Sequence, residues 1–283
     1  KSCKIVLLKV RNFMIIPKVL SIAGSDSGGG AGIQADLKTI TSLGCFGMTV
    51  ITAITAQNTM SVDRVMLIPE DLIEAQFSSV ARDYSIDAIK IGMMGDAGCV
   101  RSLKKILQSA VGKIVLDPVM VSTSGSSLVQ EPISVVMADE LFPMSRLVTP
   151  NLLEAQEFLN LHSISFNEMV DAAVAILKFG TNAVLLKGGH LPDDRLKDVL
   201  VEKNGNQIEI SEFTHPRVET QNTHGTGCTL SSAIACGLAQ KKSLKKSVEE
   251  GIAYTQKAIV AASKLKQEEL GKGNGALWHA HQH

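Results

Sequence analysis

The feature that most narrows what this chain can fold into is a repeated exchange between two hydrophobic rhythms. Short runs rich in Val, Ile and Thr, at residues 19–23, 49–56, 88–91, 114–116, 147–149 and 183–186, read as strands. Between and after them, residues 33–43, 71–84, 99–108, 151–161 and 171–179 have the apolar spacing of amphipathic helices. The strands are close to continuously apolar, which a sheet requires when helices cover both of its faces. The expected fold class is therefore α/β, with a mainly parallel central sheet. Near residues 199–213 the rhythm changes, and two alternating runs flank Asn204-Gly205, a hairpin turn signal. Beyond His224 the chain reads as helical twice, over 229–240 and 246–265.

No internal repeat, low-complexity tract or linker interrupts this pattern, so residues 14–283 are expected to form a single domain. Residues 1–13 carry Lys1, Lys4, Lys9 and Arg11 without an acid. They are set apart as an N-terminal extension of unassigned role, either a presequence remnant or an upstream read-through. The chain of 283 residues balances 28 basic against 28 acidic side chains. That balance, with no basic stripe, argues against a nucleic-acid partner and for a small-molecule substrate held by local contacts. No apolar stretch approaches the ~18 residues that span a bilayer, so no membrane partner is expected. Five scattered cysteines, without a CxxC pair, point to reduced thiols in a cytoplasmic setting. An organellar location is the alternative if residues 1–13 are targeting sequence.

Two glycine-bearing loops carry the chemistry. The first, Gly24-Ser25-Asp26-Ser27-Gly28-Gly29-Gly30-Ala31-Gly32, joins the first strand to the first helix. It lacks the Lys-Ser or Lys-Thr of a P-loop and the acid about 20 residues on that a dinucleotide fold needs. Asp36, one helical turn further, is expected to accept a hydrogen bond from a ligand hydroxyl. The second loop, Asn222-Thr223-His224-Gly225-Thr226-Gly227-Cys228-Thr229, precedes a small-residue helix. Gly225 and Gly227 let backbone amides converge at the positive end of that helix, an anion hole suited to phosphate oxygens. Cys228 falls in the first helical turn, where the helix dipole is expected to acidify its thiol into a base toward a substrate hydroxyl. His190 and His224 are read as supporting hydrogen-bonding residues, and His279, His281 and His283 as an exposed tail.

These two loops together resemble the signatures of the hydroxymethylpyrimidine and hydroxymethylpyrimidine-phosphate kinases of thiamin biosynthesis. So do Lys90-Ile91-Gly92-Met93, Asp117-Pro118-Val119-Met120, Thr149-Pro150-Asn151-Leu152, Lys187-Gly188-Gly189-His190 and Gly271-Lys272-Gly273-Asn274-Gly275. The matches run in family order from about Pro17 to the C-terminus. The resemblance implies a ribokinase-like fold, ATP and Mg²⁺ as cofactors, phosphorylation of the alcohol and then of its monophosphate, and a homodimer. It implies that Gly24, Asp36, Gln57, Met93, Val119 and Cys228 surround the substrate. Gln57 suits this independently, since its amide sets a donor beside an acceptor. It implies that Asn151 and Glu154, three apart on one helix face, organise Mg²⁺ through water, with Lys187 and Thr226 at the nucleotide. Lys187, Cys228, Gly225 and Gly227 are then the catalytic set. Ribokinase-like sugar kinases carry Asp where this chain has Cys228, which favours a hydroxymethyl heterocycle over a sugar. Pyridoxal kinase of the same fold is the alternative enzyme, and a catalytically inactive ligand sensor the alternative outside enzymes.

Overall fold

Each change of hydrophobic rhythm marks a change of element, and nine strands hydrogen-bond into one sheet. The computed structural model describes residues 15–110, 113–120, 133–189 and 195–281. The N-terminal extension and His190 lie outside the described residues. The strands are β1 (Lys18–Asp26), β2 (Phe46–Gln57), β3 (Val62–Leu67), β4 (Ala88–Ile91), β5 (Ile114–Leu116), β6 (Ser145–Val148), β7 (Ala183–Lys187), β8 (Arg195–Asn204) and β9 (Gln207–Pro216). They lie in the order β3-β2-β1-β4-β5-β6-β7-β8-β9. The run from β2 to β7 is parallel throughout, as the apolar strands imply. Antiparallel pairing is confined to β3 at one edge and to the β8–β9 hairpin at the other.

The helices are α1 (Gly32–Ser42), α2 (Glu70–Asp83), α3 (Ala97–Ile106), α4 (Ser134–Glu140), α5 (Leu152–Leu159), α6 (Met169–Leu177), α7 (Thr226–Ala239) and α8 (Leu244–Ser263). Two of these elements are absent from the sequence reading. Strand β3 escapes it because Asp63-Arg64 breaks the apolar run; at a sheet edge, charged residues are tolerated and discourage further pairing. Helix α4 spans only seven residues, too short to show a periodicity. Among the described residues no helix is long and apolar enough to cross a membrane.

Strand side chains alternate between two cores. Leu20, Ile22, Ile89, Ile91, Leu116, Val148 and Leu186 pack with α2 through α6. Val19, Val115, Leu147 and Leu185 pack on the opposite face with Ile40 of α1, Ile234 of α7 and Val248 of α8. Each such fully buried aliphatic contributes roughly 1.5–3 kcal/mol.

The second core contains a charged pair. Lys90 on β4 and Asp36 on α1 are both wholly buried, with Nζ 2.9 Å from Oδ2. Ser21 of β1 donates to the same oxygen at 2.5 Å, and Ser232 of α7 donates to Oδ1 at 2.8 Å. Burial alone would lower the Lys90 pKa, but the adjacent Asp36 carboxylate holds it above the usual lysine range. Asp36 thus bonds to the protein through both oxygens, where the sequence reading has it accept from a ligand hydroxyl. Its helix turns the carboxylate inward because α1 packs on the sheet through Ile33, Ala35, Asp36, Thr39 and Ile40.

Lys90→Met should strand the Asp36 charge and cost about 3–5 kcal/mol in urea unfolding. The double variant Asp36→Asn/Lys90→Met should recover more than half of that loss. Equal losses in the single and double variants would show that the lysine acts by packing alone.

Candidate active site

All the parallel strands point their carboxyl ends the same way, and the chain reverses its direction of growth at β1, which has β2 on one side and β4 on the other. Ligands of open α/β sheets collect in the crevice at such a point. The residues found there come from every strand end in turn. Asp26 ends β1, Gln57 ends β2, Met93 follows β4, Asp117 and Val119 follow β5, Asn151 follows β6, and Lys187 ends β7.

Helix α7 closes this row. Its N-cap, Gly225, has φ +87°, and a Cβ there would stand 1.9 Å from the Gly30 carbonyl oxygen. Both facts require glycine, and both follow from α7 starting directly on the glycine-rich loop. A Cβ on Gly227 would lie 3.2 Å from Asp117 Oδ2 and 3.5 Å from Lys187 Nζ. The first turn of α7 therefore meets the ends of β5 and β7, close to a lysine–carboxylate pair. Thr226 turns its hydroxyl back to the Thr223 carbonyl at 2.7 Å.

Lys187 Nζ lies 2.8 Å from Asp117 Oδ1, which also accepts from Thr149 Oγ1 at 3.1 Å. Burial would lower the Lys187 pKa, yet Asp117 and Glu154 together hold it above the ordinary value. Glu154 is pushed up to about 7, chiefly by burial, with Lys187 pulling it down and Asp117 pushing it further up. Two carboxyl groups thus share one ammonium. Asp117 was quoted in the sequence only as part of a motif. Its signal was an acid placed directly after an all-apolar three-residue strand.

Asn151 and Glu154 meet in a way that helix-face spacing did not anticipate. Asn151 is the N-cap of α5 rather than a residue within it. Its Oδ1 accepts the Glu154 N–H at 2.9 Å, and Glu154 Oε2 accepts the Asn151 N–H at 2.8 Å, a reciprocal capping box. The cap presses β6 against β7, since the Lys187 N–H donates to the Pro150 carbonyl at 2.9 Å.

The other substrate candidates lie at or just after the ends of β1, β2, β4 and β5. A Cβ on Gly24 would lie 2.9 Å from Met93 Sδ. The Met93 carbonyl accepts from Thr52 Oγ1 at 2.6 Å, and the Val119 amide donates to the Asp117 carbonyl at 2.8 Å. Gln57 clasps Ser27 through its backbone, donating to the serine oxygen and accepting from it at 2.8 Å each. Its side chain reaches His224, with 3.4 Å between the nitrogens. His224 in turn lies 3.0 Å from Asp26 Oδ2. Asp26, which the sequence reading left unassigned, also accepts from the amides of Gly28, Gly30 and Ala31. Burial would raise its pKa, but these bonds and His224 outweigh that and hold the carboxylate below its ordinary value.

Two expectations are overturned here. Burial pushes the Cys228 thiol up to about 11; Asp36 and Asp117 add to the rise, while Lys90 and a bond from Gly32 oppose it. The helix start does not acidify it. The tail is not wholly exposed either. His279 is buried, with Nε2 2.9 Å from Thr229 Oγ1, and burial brings it down to about 4. His281 bonds to the Trp278 carbonyl at 3.2 Å, and His283 lies outside the described residues. Among the described residues no three His, Cys, Asp or Glu gather into a metal cluster.

The sequence profile of phosphomethylpyrimidine kinase matches residues 26–278. A hydroxymethylpyrimidine/phosphomethylpyrimidine kinase of Rhizobium meliloti is 43% identical over 264 residues, 93% of this chain and 96% of that one. The ADP complex of Bacillus subtilis pyridoxal kinase superposes with a TM-score of 0.81 at 29% identity, over 95% of this chain and 99% of that chain. Phosphomethylpyrimidine kinase of Clostridium difficile superposes with a TM-score of 0.74 at 37% identity, over 86% of this chain and 99% of that chain. The fold is ribokinase-like, with nucleotide-using kinases as its neighbours. With the profile matched over nearly its whole length, the chain belongs to the phosphomethylpyrimidine kinase family.

Proposed function

We propose that this chain transfers the γ-phosphate of ATP to 4-amino-5-hydroxymethyl-2-methylpyrimidine, and then phosphorylates the monophosphate to the diphosphate, in thiamin biosynthesis. The observation that carries the reading is the contact between the first turn of α7 and the Lys187–Asp117 pair. Amides, an ammonium and carboxylates meet there, the groups that phosphoryl transfer calls on. The names of the relatives supply the substrate.

Phosphoryl transfer passes through a loose transition state, so the protein acts by positioning and by stabilising charge. The amides of Gly225, Gly227 and Cys228 donate to the equatorial oxygens as they gain charge, and Lys187 offsets charge between donor and acceptor. Mg²⁺ prefers oxygen donors and is held in kinases by one or two carboxylates together with the phosphates. Asp117 and Glu154 fit that demand: both are buried, and burial, with the Asp117 charge adding to it, raises Glu154 to about 7. Bound there, Mg²⁺ would neutralise charge on the β- and γ-phosphates. Asn151 supports it by holding Glu154 in the capping box. On the substrate side, Gln57 meets the ring nitrogen and amino group, while Met93 and Val119 line the ring. Gly24 lets the ring approach β1. Pyridoxal is the second reading, favoured by the TM-score of 0.81 to the Bacillus subtilis pyridoxal kinase.

Mass analysis of products from the aminopyrimidine alcohol and ATP should reveal mono- and diphosphorylated species. Turnover of pyridoxal with none of the aminopyrimidine would overturn the substrate assignment. Lys187→Met should lower kcat by about 100-fold or more while the KM for the pyrimidine changes little, as for other oxyanion-stabilising groups. A rise in KM at unchanged kcat would place Lys187 in binding alone.

Because burial pushes the Cys228 thiol up to about 11, its thiolate fraction is small at neutral pH. Its alkylation by iodoacetamide should rise roughly tenfold per pH unit between about pH 7 and 9, without a plateau. Peptide mass analysis would read this directly, and saturation in that range would mark an acidified thiol after all.

A further inference from the structure

A buried carboxylate that the reaction does not use lies beside Lys187. Asp198 on β8 is the register partner of Lys187, the last residue of β7. At Lys187 the chain leaves the sheet. On the β6 side its N–H donates to the Pro150 carbonyl at 2.9 Å. The next amide belongs to Gly188, which is buried and so needs an acceptor. Asp198 Oδ1 supplies it, at 2.9 Å. Gly188 is pressed against β8, where a Cβ would collide with the Lys197 carbonyl oxygen. The other carboxylate oxygen, Oδ2, lies 3.0 Å from Nε2 of His215 on β9. Nδ1 of His215 lies 2.6 Å from the side-chain nitrogen of Gln256 on α8. An amide nitrogen can only donate, so Nδ1 accepts, and the ring's hydrogen sits on Nε2 and goes to Asp198. Every contact in the row then has one donor and one acceptor.

An amide, a histidine and a carboxylate in a row have the order of a proton relay, but this row ends on a backbone N–H, which gives up no proton at neutral pH. What it can pass on is position. We propose that Asp198, its carboxylate oriented by His215 and Gln256, is a positioning residue for Lys187: it anchors the Gly188 amide and so fixes the turn from which the lysine reaches Asp117. The lysine needs such an anchor. Its ammonium sits on a flexible four-carbon stem, 2.8 Å from Asp117 Oδ1, and a drift of the strand end would carry over to that contact. A misplacement of about 1 Å can cost about 100-fold in rate. Pro150 holds residue 187 from the β6 side and Asp198 holds residue 188 from β8, so the strand end is clamped between its neighbours. The same clamp links α8 to the lysine through His215 and Asp198. This inference rests on the reading of Lys187 as a group that offsets charge during transfer.

The test is whether Asp198 works through Lys187. Turnover of the aminopyrimidine alcohol with ATP is measured for the unaltered chain, Asp198→Ala, Lys187→Met and the double variant. Asp198→Ala should lower kcat by roughly 10-fold or more at a nearly unchanged KM for the pyrimidine. In the Lys187→Met background the same change should cost less than about 3-fold, since no ammonium is left to misplace. Equal losses in the two backgrounds would refute the proposal, because a merely structural carboxylate costs the same with or without the lysine. His215→Phe keeps the carboxylate and removes the bond that orients it. It should show the same dependence on Lys187 with a smaller loss, and it carries the test should Asp198→Ala fail to fold. No loss of kcat in either variant would overturn the proposal. A readout free of turnover is amide hydrogen exchange. The Gly188 N–H should exchange roughly 10-fold or more faster in Asp198→Ala, while the Leu185 and Leu186 amides of β7 stay slow. Unchanged exchange at Gly188 would overturn the anchor. If Lys187→Met keeps full kcat while exchange at Gly188 quickens, the anchor stands and the reading of Lys187 fails.

Discussion

A lysine with no exposed surface sits at the centre of this molecule, and the geometry of the active site depends on it. Lys90 and Asp36 join β4 to α1, while the serines that complete the pair come from β1 and α7. A buried ion pair is a poor source of net stability, because removing two charges from water costs about as much as their attraction returns. What it supplies here is position. An uncompensated charge in this core would be far worse, so α1 and α7 can dock on the sheet only in the register that brings all four side chains together. That register sets the N-termini of both helices side by side, close enough that the Gly225 position excludes any Cβ beside the Gly30 carbonyl. The glycines of the two loops are therefore needed because of a charge pair lying deeper in the core.

The same arrangement governs the electrostatics above it. Lys90 lies within reach of Cys228 and Asp117, and Lys187 answers Asp117 and Glu154. The site holds more carboxylate than ammonium, which would repel a bare polyphosphate. A divalent cation held by Asp117 and Glu154 would reverse that sign, and the first-turn amides of α7 would add to its effect. Asn151 and Asp26 do quieter work in this scheme. Each spends its oxygen on backbone amides, one to start α5 and one to shape the glycine-rich loop. Neither needs to touch a ligand to be indispensable to the shape of the site.

The parallel sheet was legible because its strands have to be apolar on both faces, and β1, β4, β5 and β7 fall within a few residues of where those runs lie. The β8–β9 hairpin was legible in Asn204-Gly205, although the turn itself sits one residue later, at Gly205-Asn206. The short helix α4 and the charged strand β3 carried no periodicity to read. The loops of the site were legible as motifs, but the partners of their side chains were not. Asp36 read as a ligand contact because one strand and one helix do not reveal a lysine 54 positions away. Asn151 and Glu154 read as two residues on a face because a cap and an i,i+3 pair have the same spacing. His279 read as solvent-exposed because nothing in its neighbours reveals Thr229 beneath it.

Cys228 shows how two local rules can disagree and which one prevails. A thiol in the first turn of a helix gains from the dipole, an effect of about 0.3–1 kcal/mol that fades within one turn. The same thiol is half-buried, and two carboxylates lie near it, so the charged form loses water and gains repulsion. Removing a charge from water costs several kcal/mol even after relaxation, which outweighs the dipole. The result is a thiol that keeps its proton at neutral pH. For many nucleophilic enzymes that would disable the chemistry. For phosphoryl transfer it need not, because in a loose transition state the incoming hydroxyl has formed little bond and carries little positive charge. Its proton can leave late, toward the phosphoryl oxygens or a weak acceptor nearby. On the proposed reading, a turn of amides opposite a lysine would stabilise the transferring group, and the thiol's neighbours would matter more than its basicity.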